Sequence, residues 1–296
     1  RKWYLEQKPF DLVIDQHHGI PWYAPVWCPD KCVAYIHEVL GPIWDSFYSW
    51  PISAIGKWQE RLTLRQYCAV QFWTASSYTQ DFLKEQGIQS VTQIPYGVDT
   101  RSLEVLPEKE LDEPLRLITV SRLAPNKQVD HVVVALKILQ EEHGLEANLK
   151  VVGQGQEEGA LRQLVDDLGL QDHVEFLGAI SEAEKERVLQ EAHFLLHTSV
   201  REGWGLNVVE ANAMGTPAIV YPSPGLMEST LHRETGLVAD EDSPAGLAAT
   251  IAAVQSHDGA YQDWREAARD RAADFHWDTV MPMACDQLEE WASSER

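Results

Sequence analysis

From Leu115 onward the chain alternates short apolar runs with stretches whose apolar residues recur every three or four positions. Such alternation dictates a parallel sheet. Each strand must cross over, usually through a helix, before the next can pair in the same direction, and helices on both faces keep the strands buried. The pattern predicts strands over Leu115 to Val120, Leu149 to Val152, Val174 to Leu177, Phe194 to Thr198 and Ala218 to Tyr221. Between the first two, Val129, Val132, Val133, Leu136 and Leu139 form one helical stripe that has to be buried. Ser181 followed by Glu184 is a capping box that opens another helix, and Ser243 before Pro244 opens a third. The reading is an α/β, doubly wound domain, whose ligand belongs at the carboxyl ends of the strands.

The first hundred residues carry the same alternation less regularly. Asp11 to Asp15 reads as a strand ending in Gln16-His17-His18-Gly19, and Lys31 to Ile36 as a second, ending at His37-Glu38. Gln71 to Ala75 is a third, followed by a helix capped near Ser76 or Ser77 and closed at Gly87. Acids and two prolines between Pro107 and Pro114 mark a boundary. The expected division is residues 1–111, residues 112–275 and a tail, 276–296, in which Trp277, Val280, Met281, Met283, Ala284, Leu288 and Trp291 are helically spaced.

A chain of 296 residues, 44% of them hydrophobic, has material for two cores. Its longest apolar run, around Ala245 to Val254, is too short to span a bilayer. The first residue is Arg1 and no signal peptide follows, so the chain reads as beginning inside a longer gene product. Forty-six acids against 24 bases give a formal net charge of −22, which repels nucleic acid and anionic membrane as a whole. Four cysteines without secreted spacing fit a reducing cytoplasm. Cys28 and Cys32, near His17 and His18, read either as loop thiols beside Pro29 or as a zinc pair; no second ligand pair follows.

The stretch Ser199-Val200-Arg201-Glu202-Gly203-Trp204-Gly205-Leu206-Asn207-Val208-Val209-Glu210 links the strand ending at Thr198 to a helix over Leu206 to Met214, stopped at Gly215-Thr216-Pro217. A strand, a glycine turn and a helix start leave unpaired amides and the positive end of the helix dipole at one spot, which is an anion site. Glu202 stands at the turn. Glu210 lies about 7 Å along the helix, and helical side chains lean back toward the N-terminus. A carboxylate beside a phosphate needs something else to hold, and sugar hydroxyls are the obvious candidates.

Glu202 and Glu210, seven residues apart, with the sequels Pro224-Gly225-Leu226-Met227-Glu228 and Glu234-Thr235-Gly236-Leu237-Val238, resemble the E-x7-E signature of the retaining family 4 glycosyltransferases, the glycosyl transferases group 1. The resemblance implies the GT-B fold, two Rossmann-like domains of parallel sheet, with the tail helix crossing back to the first. Members open with a strand and a Gly-rich loop that nothing in Arg1 to Phe10 resembles. The N-terminal domain is therefore expected to be incomplete.

The resemblance also assigns roles. Ser121-Arg122-Leu123-Ala124-Pro125-Asn126-Lys127 is similar to the family's G-R-L-x-x-x-K-G element, with Ser121 and Gln128 in place of its glycines. Arg122 and Lys127 would then clamp the donor diphosphate, together with the amides of Gly205, Leu206 and Asn207. The leaving diphosphate gains charge as the glycosidic bond breaks, so cations there lower the barrier. Glu202, with Gly203 and Trp204, would hold the donor sugar, and Glu202 would support the charge developing at the anomeric carbon. Glu210 would hold the ribose hydroxyls, and Gly178, Ala179 and Ile180 the base. His37 stands where the family often keeps a histidine that touches the donor sugar; His17 and His18 end another strand on the acceptor side. Val91 to Asp99 resembles the family's turn into the domain linker, with Tyr96 where Asn is usual. Gly153-Gln154-Gly155 reads equally as a phosphate loop or a close-packed turn.

The activity implied is transfer of a sugar from a UDP- or GDP-sugar to a hydroxyl of a saccharide or lipid-linked acceptor, with retention and without a metal or cofactor. Front-side attack, with a donor phosphate oxygen taking the proton, is the family's usual route. A GT-B nucleotide-sugar epimerase and a non-catalytic nucleotide-sugar binding module stand as alternatives. Six tryptophans, Trp22, Trp27, Trp44, Trp50, Trp58 and Trp73, crowd the first domain, and Lys57, Arg61 and Arg65 form a basic stripe beside Trp58. They read either as an aromatic core with a solvated basic face or as a peripheral contact with the inner face of the cytoplasmic membrane.

Overall fold

In a computed structural model, which describes residues 6–7, 10–17, 21–28, 31–41 and 44–294, two parallel sheets of the GT-B kind organise the chain, each at the centre of its own compact unit. The first unit holds residues 1–96 and 280–296, the second 97–279.

The first unit has a four-stranded sheet in the order β1-β2-β3-β4: Val13–His17, Cys32–Ile36, Gln71–Thr74 and Val91–Gln93. Helix α1 (Ile52–Arg65) lies in the crossover from β2 to β3, and α2 (Ser77–Glu85) in the next, with Ser76 Oγ accepting from Thr79 N as its N-cap. Strand alternation sorts two cores. Cys32, Ala34, Ile36 and Phe72 pack with Leu64, Leu83 and Ile88, while Val33 and Ile94 pack with Val280, Ala284 and Trp291 of the C-terminal helix, Trp277–Ser293. β1 sits two residues later than its apolar run predicts, with Asp15 inside the strand and 2% exposed. A buried carboxylate is tolerable there because Trp22 N, Ala24 N and Tyr67 Oη donate to it at 3.1, 2.8 and 2.5 Å. His18, Gly19 and Pro29 lie outside the described residues.

The second unit has six strands in the order β10-β9-β8-β5-β6-β7. They are β5 (Leu115–Val120), β6 (Ala147–Val152), β7 (Val174–Gly178), β8 (Phe194–His197), β9 (Ala218–Val220) and β10 (Gly236–Val238). Helices α3 (Val129–Glu142), α4 (Glu158–Asp167), α5 (Glu182–Glu191), α6 (Leu206–Ala213) and α7 (Pro224–Ser229) make the crossovers, followed by α8 (Pro244–Ala253), α9 (Asp258–Ala273) and α10, the C-terminal helix. The stripe from Val129 to Leu139 is buried as its spacing requires. β6 begins at Ala147, two residues before the run read from sequence, and β10 has only three residues, too few to show a period. Strand order reverses between β5 and β8, which opens a crevice at their carboxyl ends.

Candidate functional site

Two loops meet at that crevice. The loop after β5 carries Ser121, Arg122 and the short 3-10 turn Pro125–Lys127; the loop after β8 carries Ser199 to Gly205. One main-chain bond and one side chain fasten them, with Val200 N donating to Asn126 O at 3.1 Å and the Thr198 hydroxyl donating to the carbonyls of Lys127 and Gln128, each at 2.9 Å. Asn207, in the first turn of α6, donates from Nδ2 to Val120 O at 2.6 Å and so ties the helix mouth to the end of β5.

Within this frame the Lys127 ammonium pairs with Glu202 Oε1. His197 Nε2 lies 3.2 Å from the same oxygen and Ser199 Oγ 3.3 Å. His197 Nδ1 faces the amide of Ser199 at 3.5 Å. Burial pushes the Glu202 carboxyl up, but the His197 imidazole and then Lys127 overcome it and hold it at about 2. Glu202 is therefore a fixed negative charge at neutral pH. Arg122 is exposed, and its guanidinium has no ion pair or hydrogen bond among the described residues. It is the uncompensated cation of the crevice.

Glycines shape the helix mouth. Gly205, the N-cap of α6, has φ +90, and a Cβ there would lie 2.8 Å from Ser229 Oγ and 3.0 Å from Leu226 Cδ2. A Cβ on Gly225, in α7, would come within 2.2 Å of the Glu202 carbonyl oxygen. The start of α7 thus props the Glu202 loop from behind. Gly153 and Gly155 are close-packed: their Cβ positions would fall 1.8 Å from Ser121 O and 2.1 Å from Leu123 O. They let the β6 loop press against the Arg122 loop.

Glu210 is half-buried on α6 and receives Lys185 Nζ from α5 at 3.1 Å, while Lys185 also meets Glu182 at 2.6 Å. Burial raises the Glu210 carboxyl and Lys185 opposes the rise. Gly178, with φ +68, ends β7, and its carbonyl accepts from Gly153 N at 2.8 Å; Ala179 is exposed and Ile180 partly so.

The loops that carry Arg122, Lys127 and Glu202 and the start of α6 lie together at the carboxyl ends of β5 and β8. Trp204 is not part of that group by its side chain: the indole is 6% exposed and packs on Phe275, ring centres 5.5 Å apart. His197, Ser199 and Lys185 were not singled out in the sequence. His197 hid as the last residue of an apolar strand and Lys185 within a charged helix, where nothing marks which charge faces the crevice. In the first unit His37 follows β2 with both ring nitrogens engaged, Nε2 by Gln16 Nε2 at 2.9 Å and Nδ1 by Tyr96 Oη at 2.7 Å. The residue that departs from the usual Asn thus orients this histidine. His17 is buried against Tyr67 and Phe72, with burial drawing it down to about 4. Among the described residues no cluster of His, Cys, Asp and Glu is arranged to hold a metal ion.

Two parallel-sheet units, with a glycine turn and a helix start at the point where strand order reverses, are the architecture of the GT-B fold. The chain belongs to the glycosyl transferases group 1 family, whose model matches residues 104–271. It is 28% identical to a glycogen synthase of Mycobacterium tuberculosis over 265 residues, covering 85% of this chain and 63% of that protein. A GDP-mannose-dependent alpha-(1-6)-phosphatidylinositol monomannoside mannosyltransferase of the same organism is 32% identical over 233 residues, 72% of this chain and 60% of that one. The chain thus spans about three-fifths of these relatives. Sucrose-phosphate synthase from Thermosynechococcus elongatus superposes with a TM-score of 0.74 at 21% identity, covering 99% of this chain and 77% of that one. Anabaena Alr3699/HepE in complex with UDP-glucose gives 0.70 at 19% identity, over 90% of this chain and 74% of that one.

Proposed function

We propose that the protein transfers a hexosyl group from a nucleoside-diphosphate sugar to a hydroxyl of a saccharide or lipid-linked acceptor, with retention at the anomeric carbon. One observation carries this reading: the Lys127–Glu202 pair and the unpaired Arg122 stand beside the α6 mouth where strand order reverses. Arg122, Lys127 and the amides of Gly205, Leu206 and Asn207 receive the diphosphate and neutralise the charge it gains on leaving. Glu202, ionised at neutral pH, grips donor-sugar hydroxyls and faces positive charge at the anomeric carbon. Glu210 accepts from the ribose hydroxyls, and the turn Gly178-Ala179-Ile180 meets the base. The acceptor attacks on the face the diphosphate leaves, and a phosphate oxygen takes its proton. No divalent ion enters this scheme, since the cations and the helix terminus supply the neutralisation.

The names of the relatives support a GDP- or UDP-linked donor, and one of them is named for a phosphatidylinositol-linked acceptor. A thermal-shift screen of UDP, GDP, ADP and their sugars, followed by a donor-hydrolysis assay, tests the proposal. Stabilisation by one nucleotide series with slow release of free sugar and nucleoside diphosphate is the expected result. Interconversion of sugars would mean an epimerase, and binding without turnover a binding module.

A further inference from the structure

We propose that the outward face of α1 docks on an anionic lipid surface. The helix is built inside out. Its buried positions are Ser53, Gly56, Thr63 and Leu64, whereas Ile55 and Trp58 are 59% and 63% exposed, with Leu62 extending the row at i, i+3, i+7. Just ahead of it Trp50 is 81% exposed and Ile52, the first helical residue, 55%. A small residue inside is required where Trp44 presses on Gly56, since a Cβ there would fall 2.4 Å from the indole.

The charges on α1 follow the same division. Arg61 and Arg65 flank the apolar row, exposed and without a side-chain partner among the described residues. Lys57 is held by Asp45. The helix has one acid, Glu60, and it turns inward, accepting from Leu40 N and Gly41 N at 2.7 and 2.8 Å. In a chain of formal net charge −22, a helix that exposes two bare guanidiniums and an indole and turns its own acid inward is a local inversion. It complements an anionic bilayer, where apolar side chains enter the acyl boundary and guanidiniums meet phosphates.

Glu60 ties α1 to the segment that begins three residues after His37, so docking holds the carboxyl end of β2 at the headgroups. This deepens the transferase reading, on which it rests for its consequence, by naming the acceptor as lipid-anchored. Vesicle binding needs no donor, so docking and transfer fail independently. The test is co-sedimentation of the full chain with vesicles of phosphatidylcholine alone or mixed with phosphatidylglycerol, at low and physiological salt, alongside size-exclusion chromatography. Binding to the anionic vesicles is expected, with a loss of about thirty-fold for Arg61→Ser with Arg65→Ser, the effect of removing two basic groups near such a surface. Ile55→Ser with Trp58→Ser should abolish binding while thermal unfolding is unchanged. No binding at low salt, binding that survives both pairs of substitutions, or a dimer that Ile55→Ser with Trp58→Ser dissolves would each overturn the proposal.

Discussion

The Lys127 ammonium and the Glu202 carboxylate meet across the carboxyl ends of two adjacent strands, β5 and β8, that lie 74 residues or more apart along the chain and join where the sheet reverses its order. In the proposed transfer this contact sets a cation for the leaving diphosphate beside an acid for the sugar.

Lys127→Ala should weaken nucleoside diphosphate binding by about ten- to a hundred-fold, the range of a charge-assisted hydrogen bond. Arg122→Ala should weaken UDP and GDP alike and leave stability unchanged within about 0.5 kcal/mol, because an exposed, unpaired guanidinium contributes nothing to folding. Isothermal titration and thermal melts read both. Equal affinities in wild type and both variants would remove these cations from the site.

The Glu202 carboxyl is held below its usual value in the folded protein, so it contributes stability that is fully present above about pH 4.5 and lost as pH falls toward about 2. Glu202→Gln should therefore cost on the order of 2 kcal/mol near neutrality and show a shallower acid limb in pH-dependent melts. An identical limb in wild type and variant would count against the pairing.

Lys109 is buried, and among the described residues its ammonium has only neutral acceptors, Ala192 O at 2.6 Å and Thr216 Oγ1 at 3.1 Å. Burial, then the charges of Arg265 and Arg116, lowers it to about 6. The unfolded chain then binds more protons than the folded one between pH 6 and the ordinary lysine range, so stability rises with pH across that window. Melts of Lys109→Met should lose most of this slope between pH 6 and 9; a slope equal to that of wild type would contradict it.

Gly225→Ala should displace the Glu202 loop, because its methyl would meet the main chain of Glu202 and Gly203, with the Glu202 carbonyl oxygen nearest at 2.2 Å. Donor affinity should fall several-fold with a modest loss of stability. Gly144→Ala, at positive φ but with open space around it, supplies the control for backbone strain alone.

Glu210→Ala should erase any preference for ribonucleotide over deoxyribonucleotide, since the acid's proposed partner is the ribose hydroxyl pair. Competition binding of UDP against its 2′-deoxy analogue measures this, and a retained preference would assign the ribose to another residue.

Local rules made much of the architecture legible before any coordinates. The stripe from Val129 to Leu139, the Ser181 and Ser243 caps and the apolar runs of β5 and β8 depend on neighbours within a few residues, so periodicity and capping chemistry reveal them. The same is true of the glycine turn at Gly203 and Gly205 and of the two acids around it. Other features depend on partners far along the chain. Asp15 could enter a strand only because Tyr67 and two amides solvate it, and Trp204 was claimed by Phe275 for the interior. That Lys127, His197 and Lys185 select Glu202 and Glu210, that Arg122 is left without a counter-ion, and that α1 turns its large apolar side chains outward are settled by long-range packing. A one-dimensional pattern records which residues a turn or helix contains; which charge finds which depends on how the sheet orders its strands.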